Sequence, residues 1–198
     1  MPAIYYGRLV TYVRSLLSLG EALDRATTSA VDVGDIQRAA IVMVVSALDH
    51  FVHEKVREGM FEALEGTRAR TSAFDSFEVA MSLVLQVKGD PANDDWLDDA
   101  ITKRHGHRPF LKTEDIAGAI RLTSEVQLWN EVANHLGYDS AQTLKTDIKL
   151  IVDRRNKIAH EADLDPTQPG SRWPISHDLA SDAVDLVESV VRGIEACA

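Results

Sequence analysis

The sequence carries a single cysteine, Cys197, so it offers no disulfide frame. A catalytic thiol is not expected next to a frayed terminus. Long apolar runs are missing too. The longest, Ala39 to Leu48, is about half of the roughly 20 residues that a membrane-crossing helix needs. Met1 to Gly20 mixes arginines with leucines and ends in no small-residue cleavage pattern, so the expectation is a cytoplasmic protein with no membrane partner. Alternating strand-like runs are scarce, and neither an internal repeat nor a low-complexity segment is visible. Nor is there an excess of positive charge. With 21 Lys and Arg against 31 Asp and Glu the formal net charge is −10, which excludes a protein that coats nucleic acid by charge alone.

What is present is helical periodicity. Apolar residues make up 45% of the 198, enough to bury a core, and they recur at spacings of three and four almost throughout. The expectation is an all-α fold, an up-and-down bundle of four to five core helices with short extra helices, forming one domain over residues 1–198. A first helix is expected from about Ile4 to Ala26, and a second, central one from about Asp35 to Glu65. Thr71-Ser72, with Asp75 three residues after Ser72, has the form of a capping signal and predicts a third helix running to about Val87.

Lys88-Gly89-Asp90-Pro91 breaks the pattern, and the stretch from about 89 to 112 reads as an insert with a short acidic helix around Trp96. Helices resume at Thr113–Leu122, at Ser124–His135 with Gly137 as the stop, and at Ser140 to about Glu161. Three prolines and a glycine between Asp163 and Pro174 demand a loop. A last helix starts at Ser176, with Asp178 in its first turn.

The charge is unevenly spread. From Ser140 to Glu161, five basic residues (Lys145, Lys149, Arg154, Arg155, Lys157) face three acids, a local balance of +2 in a chain of −10. A second basic island, Ile101 to Lys112, holds Lys103, Arg104, Arg108 and Lys112 with His105 and His107, and no acid. It reads as a solvated loop opposite the acidic run Asp94, Asp95, Asp98 and Asp99, or as an RNA contact through Arg104 and Arg108, or as a metal ligand set.

On a helical wheel Arg155 falls among Leu144, Ile148, Ile151, Val152, Ile158 and Ala159, the apolar sector of its helix. A guanidinium there is costly unless a carboxylate, phosphate or interface receives it. Asn156 and His160, four apart, stand at the edge of the same sector. A fixed cation, an amide and a titratable imidazole suit RNA cleavage by attack of the ribose 2′-hydroxyl on the adjacent phosphate. The imidazole moves the proton, the arginine holds the phosphoryl oxygens, and neither metal nor cofactor is required. The competing reading pairs Arg155 with an internal acid and makes His160 a helix end.

On the second helix Asp49 and His53, and His50 and Glu54, are each four apart, half of a metal site without a second Glu-x-x-His to complete it. No metal is therefore expected. Asp49 or His53 is expected instead to line the cleft near Arg155. Trp96 and Trp129 read as core or interface, and His135 as a helix end.

Arg155-Asn156-Lys157-Ile158-Ala159-His160 resembles the catalytic motif of the HEPN family of metal-independent ribonucleases, an arginine, a polar residue and then a histidine. Ser46 to Glu54 looks like the second helix of the stand-alone bacterial group called RiboL-PSP-HEPN. The resemblance covers most of the chain, excepting the stretch from Gly89 to Lys112. It implies a bundle that dimerises so that two motifs face one another. Arg155 and His160 would then be catalytic and Asn156 would position them or the phosphate; apart from the resemblance, the basic residues Arg154, Lys157, Arg104 and Arg108 are candidate RNA contacts. It also implies a toxin, abortive-infection or other defence role, with an antitoxin or nucleotidyltransferase as partner. Toxins modified by such a partner carry a tyrosine two residues after the histidine, where this chain has Ala162. Two alternatives stay open: a HEPN-like binding or dimerisation module without catalysis, and a carboxylate-histidine metalloprotein.

Overall fold

The computed structural model describes residues 2–28, 30–89 and 95–198. Among them the chain is all-α: α1 (Pro2–Thr27), α2 (Gly34–Glu65), α3 (Ser72–Asp75), α4 (Met81–Gly89), α5 (Trp96–His105), α6 (Thr113–Ile120), α7 (Leu128–His135), α8 (Ala141–Glu161) and α9 (His177–Cys197). The only extended pairing described is a single bridge between Leu164 and Arg172.

α2 is the axle of the bundle because its apolar residues are not confined to one face. Ile41, Val44, Val45, Leu48, Phe51, Val52, Val56 and Met60 are all buried. Helices α1, α9, α8, α6 and α5 pack around it. α1 and α9 close one side, and α7 bridges α8 and α9. That bridge is tight: a Cβ on Gly193 would lie 2.7 Å from Val132, so only glycine lets α7 approach α9 so closely.

Local signals set the long elements. Ser140 accepts the Thr143 N–H at 3.1 Å at the start of α8, and Ser176 accepts the Leu179 N–H at 3.1 Å at the start of α9. Gly66, at φ +78°, ends α2 in the left-handed conformation that glycine adopts without strain.

Two expectations fail. The helix expected from Thr71 to Val87 is broken between Asp75 and Met81, although Thr71 does cap α3 by accepting the Phe74 N–H at 2.9 Å. Tertiary packing overrides propensity there: Phe74 and Phe77 turn onto the core, and the Phe77 ring lies 6.0 Å from that of His105. The helix expected from Ser124 begins only at Leu128. Residues 121–123 form a turn and 124–127 an irregular link instead; the Thr123 hydroxyl donates to the Ile120 carbonyl and the Thr123 carbonyl receives Arg68.

The stretch expected to be an insert contributes to the bundle. Leu97, Ile101 and Phe110 belong to the same buried cluster as α2, α8 and α9. α4 ends at Gly89, and the break expected around Pro91, with Asp94 of the acidic run, falls on residues 90–94, outside the described residues. Trp129 is buried and donates its indole N–H to the Thr113 carbonyl at 2.7 Å, which ties α7 to the start of α6. Trp96 is partly buried against the core, and His135 ends α7. No described helix is long and apolar enough to cross a membrane.

Candidate functional site

The buried row of α8 is Leu144, Ile148 and Val152, each one turn after the last. Arg155 continues that row, but the core stops at Val152, so the side chain emerges half-buried into an open cleft of about 970 Å³. The expectation that Arg155 sits within an apolar sector is thus correct in direction but one turn too deep. α8 forms one wall with Lys145, Lys149, Arg155, Asn156 and His160; Ser46 and Asp49 of α2 form the floor; Arg108 to Asp115 form the opposite wall.

The structure brings the three motif residues together on that wall. Arg155 donates from Nη1 to the Asn156 side-chain oxygen at 3.1 Å, while its Nε is buried with no partner. Among the described residues it forms no ion pair with any carboxylate, so the internal acid of the competing reading is not there. His160, in the last turn of α8, is exposed on the cleft rim, and its imidazole makes no hydrogen bond among the described residues.

Asp49 lines the cleft with Arg155, while His53 does not, and neither makes a hydrogen bond or ion pair with Arg155. Asp49 accepts the backbone N–H of Phe110 through Oδ1 at 2.6 Å. The same oxygen lies 3.7 Å from His53 Nε2, and the His53 ring rests on that of Phe110 with centroids 4.4 Å apart. Phe110 is buried. No group of three or more His, Cys, Asp or Glu among the described residues is arranged to hold a metal ion.

Of the four basic residues expected to contact RNA, Arg108 alone lines the cleft. Arg104 bonds Glu78 at 3.1 Å and lies over the Phe77 ring. Lys157 lies 5.0 Å from the centre of the Trp173 ring. Arg154 points inward: Nη2 donates to Asp163 Oδ2 at 2.8 Å and to the carbonyls of Trp173 and Pro174. These three side chains make those contacts outside the cleft, and Lys112, Lys145 and Lys149 line it with Arg108.

Sequence reasoning missed Asp163. Fully buried, it accepts Nε–H of Arg38 at 2.7 Å as well as Arg154, and its backbone carbonyl receives the Trp173 N–H at 2.9 Å. Ala162 and Asp163 both adopt positive φ, 51° and 59°, so the chain reverses sharply two residues after His160. The buried carboxylate fixes that reversal. The one available signal was an acid beside a proline-rich loop, which has no periodicity to reveal its partners.

The all-α bundle and the arginine-x4-histidine pair of α8 agree with the resemblance to the HEPN class. The RiboL-PSP-HEPN family model matches residues 8–197, and the chain belongs to that family. The match runs through residues 89–112, which the motif-based resemblance had left out. Compared with curated proteins and with solved structures, the chain matches none.

Proposed function

We propose that the chain is a metal-independent endoribonuclease that works as a homodimer in a toxin, abortive-infection or other defence system. The observation that carries this reading is the state of Arg155: half-buried beside Asn156 and His160, with no carboxylate partner among the described residues and an unpartnered Nε. A buried guanidinium nitrogen without an acceptor favours an anion brought from outside, and a phosphodiester suits its fork.

In the proposed reaction the ribose 2′-oxygen bonds to the adjacent phosphorus and loses its proton to a His160 imidazole. The bond from phosphorus to the 5′-oxygen of the next nucleotide breaks, and an imidazolium returns a proton to that oxygen. The products are a cyclic phosphate and a free 5′-hydroxyl. Arg155 holds the non-bridging oxygens as charge builds, and Asn156 fixes the guanidinium. A homodimer would supply two imidazoles, one for each proton transfer. The defence setting, with an antitoxin or nucleotidyltransferase partner, rests on the family resemblance.

The test is cleavage of RNA by the purified chain in excess chelator. Cyclic-phosphate products that vanish in His160→Ala and Arg155→Ala support the reading, and cleavage indifferent to both substitutions overturns it. RNA or protein binding without cleavage under any condition decides for a non-catalytic module.

A further inference from the structure

We infer that the strap Arg108–Lys112 is a second phosphate subsite, latched by Asp49 across the cleft from Arg155, so that the cleft takes a single-stranded RNA lying along it. The inference rests on the cleft being an RNA site.

The strap is fixed rather than loose. Its central residue, Phe110, is buried between the rings of His53 and His105, with centroids at 4.4 and 5.6 Å, and its N–H is held by Asp49 at 2.6 Å. An acid so close to a catalytic motif invites the role of general base. The geometry points to another one, because its Oδ1 is committed to the backbone of the opposite wall.

The distribution of unneutralised charge says what the strap is for. Three of the five cations in the cleft are compensated there: Arg108 by Asp115, Lys145 by Glu114 and Lys149 by Asp153. Among the described residues the remaining two, Arg155 on α8 and Lys112 on the strap, have no carboxylate partner, against one cleft carboxylate, Asp49, that no Lys or Arg neutralises, which leaves the lining Lys, Arg, Asp and Glu with a balance of +1. A mononucleotide gathers its negative charge at one end. A polynucleotide presents phosphates in series and can satisfy both walls at once. Lys112 would hold a phosphate beside the scissile one, and Asp49 is the residue that positions it.

Two probes test this on the full chain: a fluorescent single-stranded oligodeoxynucleotide, which lacks the 2′-hydroxyl and resists cleavage, titrated across a salt series, and an RNA of the same sequence assayed for turnover. Lys112→Ala should weaken binding about threefold to tenfold. It should also flatten the plot of log affinity against log salt by about 0.7, the value of one phosphate contact to a single strand. Arg25→Ala, exposed in the last turn of α1 and outside the cleft, should change neither quantity.

Asp49→Ala should behave like Lys112→Ala, raising KM more than it lowers kcat. Asp49→Asn should recover most of the loss, because its amide oxygen can accept the same N–H. If Asp49→Asn is as damaged as Asp49→Ala, the carboxylate acts through charge and the latch is wrong. Cleavage by wild type with a salt slope unmoved in Lys112→Ala overturns the subsite and leaves the nuclease reading standing. Binding that depends on Lys112 without cleavage does the reverse. No binding, or equal binding of an acidic peptide of matched charge, overturns the assignment to RNA.

Discussion

Arg38 and Asp163 lie 125 residues apart in sequence and meet at 2.7 Å, both almost fully buried, where the chain turns back just after α8. Arg38 also donates to the Trp173 carbonyl at 2.9 Å, so one guanidinium of α2 holds both ends of the 163–174 loop. Buried charge pairs add little when compared with apolar replacements, but removing one partner strands the other. Asp163→Ala, which takes away the buried anion between Arg38 and Arg154 and leaves only the exposed Asp35, 3.6 Å from Arg38, should cost about 3–5 kcal/mol in chemical denaturation. A loss below about 1 kcal/mol would show that water reaches the cluster and that the reversal after His160 is held by something else.

His105 makes a second, pH-dependent prediction. Both of its ring nitrogens are buried without a partner between Phe77 and Phe110. Burial first, then the nearby charges of Arg104, His53 and Arg108, push its pKa below the ordinary histidine value. The unfolded chain therefore binds a proton here before the folded one does. Stability should fall as pH drops from about 6.5 toward the depressed folded value, and level off below it. His105→Leu should remove that component of the pH profile of unfolding. An unchanged profile would mean that His105 takes up its proton in the folded chain as readily as in the unfolded one.

How much of this was legible in the sequence depends on whether a residue acts within its own helix or across the fold. Ser140 and Ser176 are read correctly because a cap works over three residues. That Arg155, Asn156 and His160 share one stretch of α8 follows from i, i+4 spacing, which is local. Arg104 and Arg108 look equivalent in sequence, four residues apart, yet α5 ends at His105 and the chain turns at Gly106, sending one to Glu78 and the other to the cleft. Arg154 and Lys157 read as basic surface because their partners, Asp163 and Trp173, lie in a loop with no period. The depth of Arg155 was misjudged because a helical wheel gives direction but not where the core stops.

Ala162 tests the strain in that reversal. At φ 51° an alanine occupies backbone space that glycine enters freely, at a cost of about 1 kcal/mol or more. Ala162→Gly relieves it but gives the unfolded chain more freedom, a loss of about 0.5–1 kcal/mol. The expected net result is a stabilisation of up to about 1 kcal/mol, seen as a higher midpoint at unchanged denaturant slope. A destabilised variant would mean that the alanine methyl makes contacts worth more than the strain.

Neighbouring arginines offer the sharpest separation of structure from function. Arg154 is tied to Asp163, Trp173 and Pro174, whereas Arg155 has only Asn156. Arg154→Ala should therefore lower stability by about 2–4 kcal/mol, because it takes one of two cations from a buried carboxylate. Any loss of RNA cleavage in that variant should be partly restored at low temperature, where the fold is retained. Arg155→Ala should leave stability within about 1 kcal/mol of wild type, since no buried anion is stranded, and yet abolish cleavage at every temperature. Arg155→Lys keeps the charge without the planar fork, and should recover less than about a tenth of the rate. The decisive measurement is paired unfolding and cleavage on the same preparations. An Arg155→Ala protein that unfolds easily, or one that cleaves normally, would move the arginine from the reaction to the scaffold.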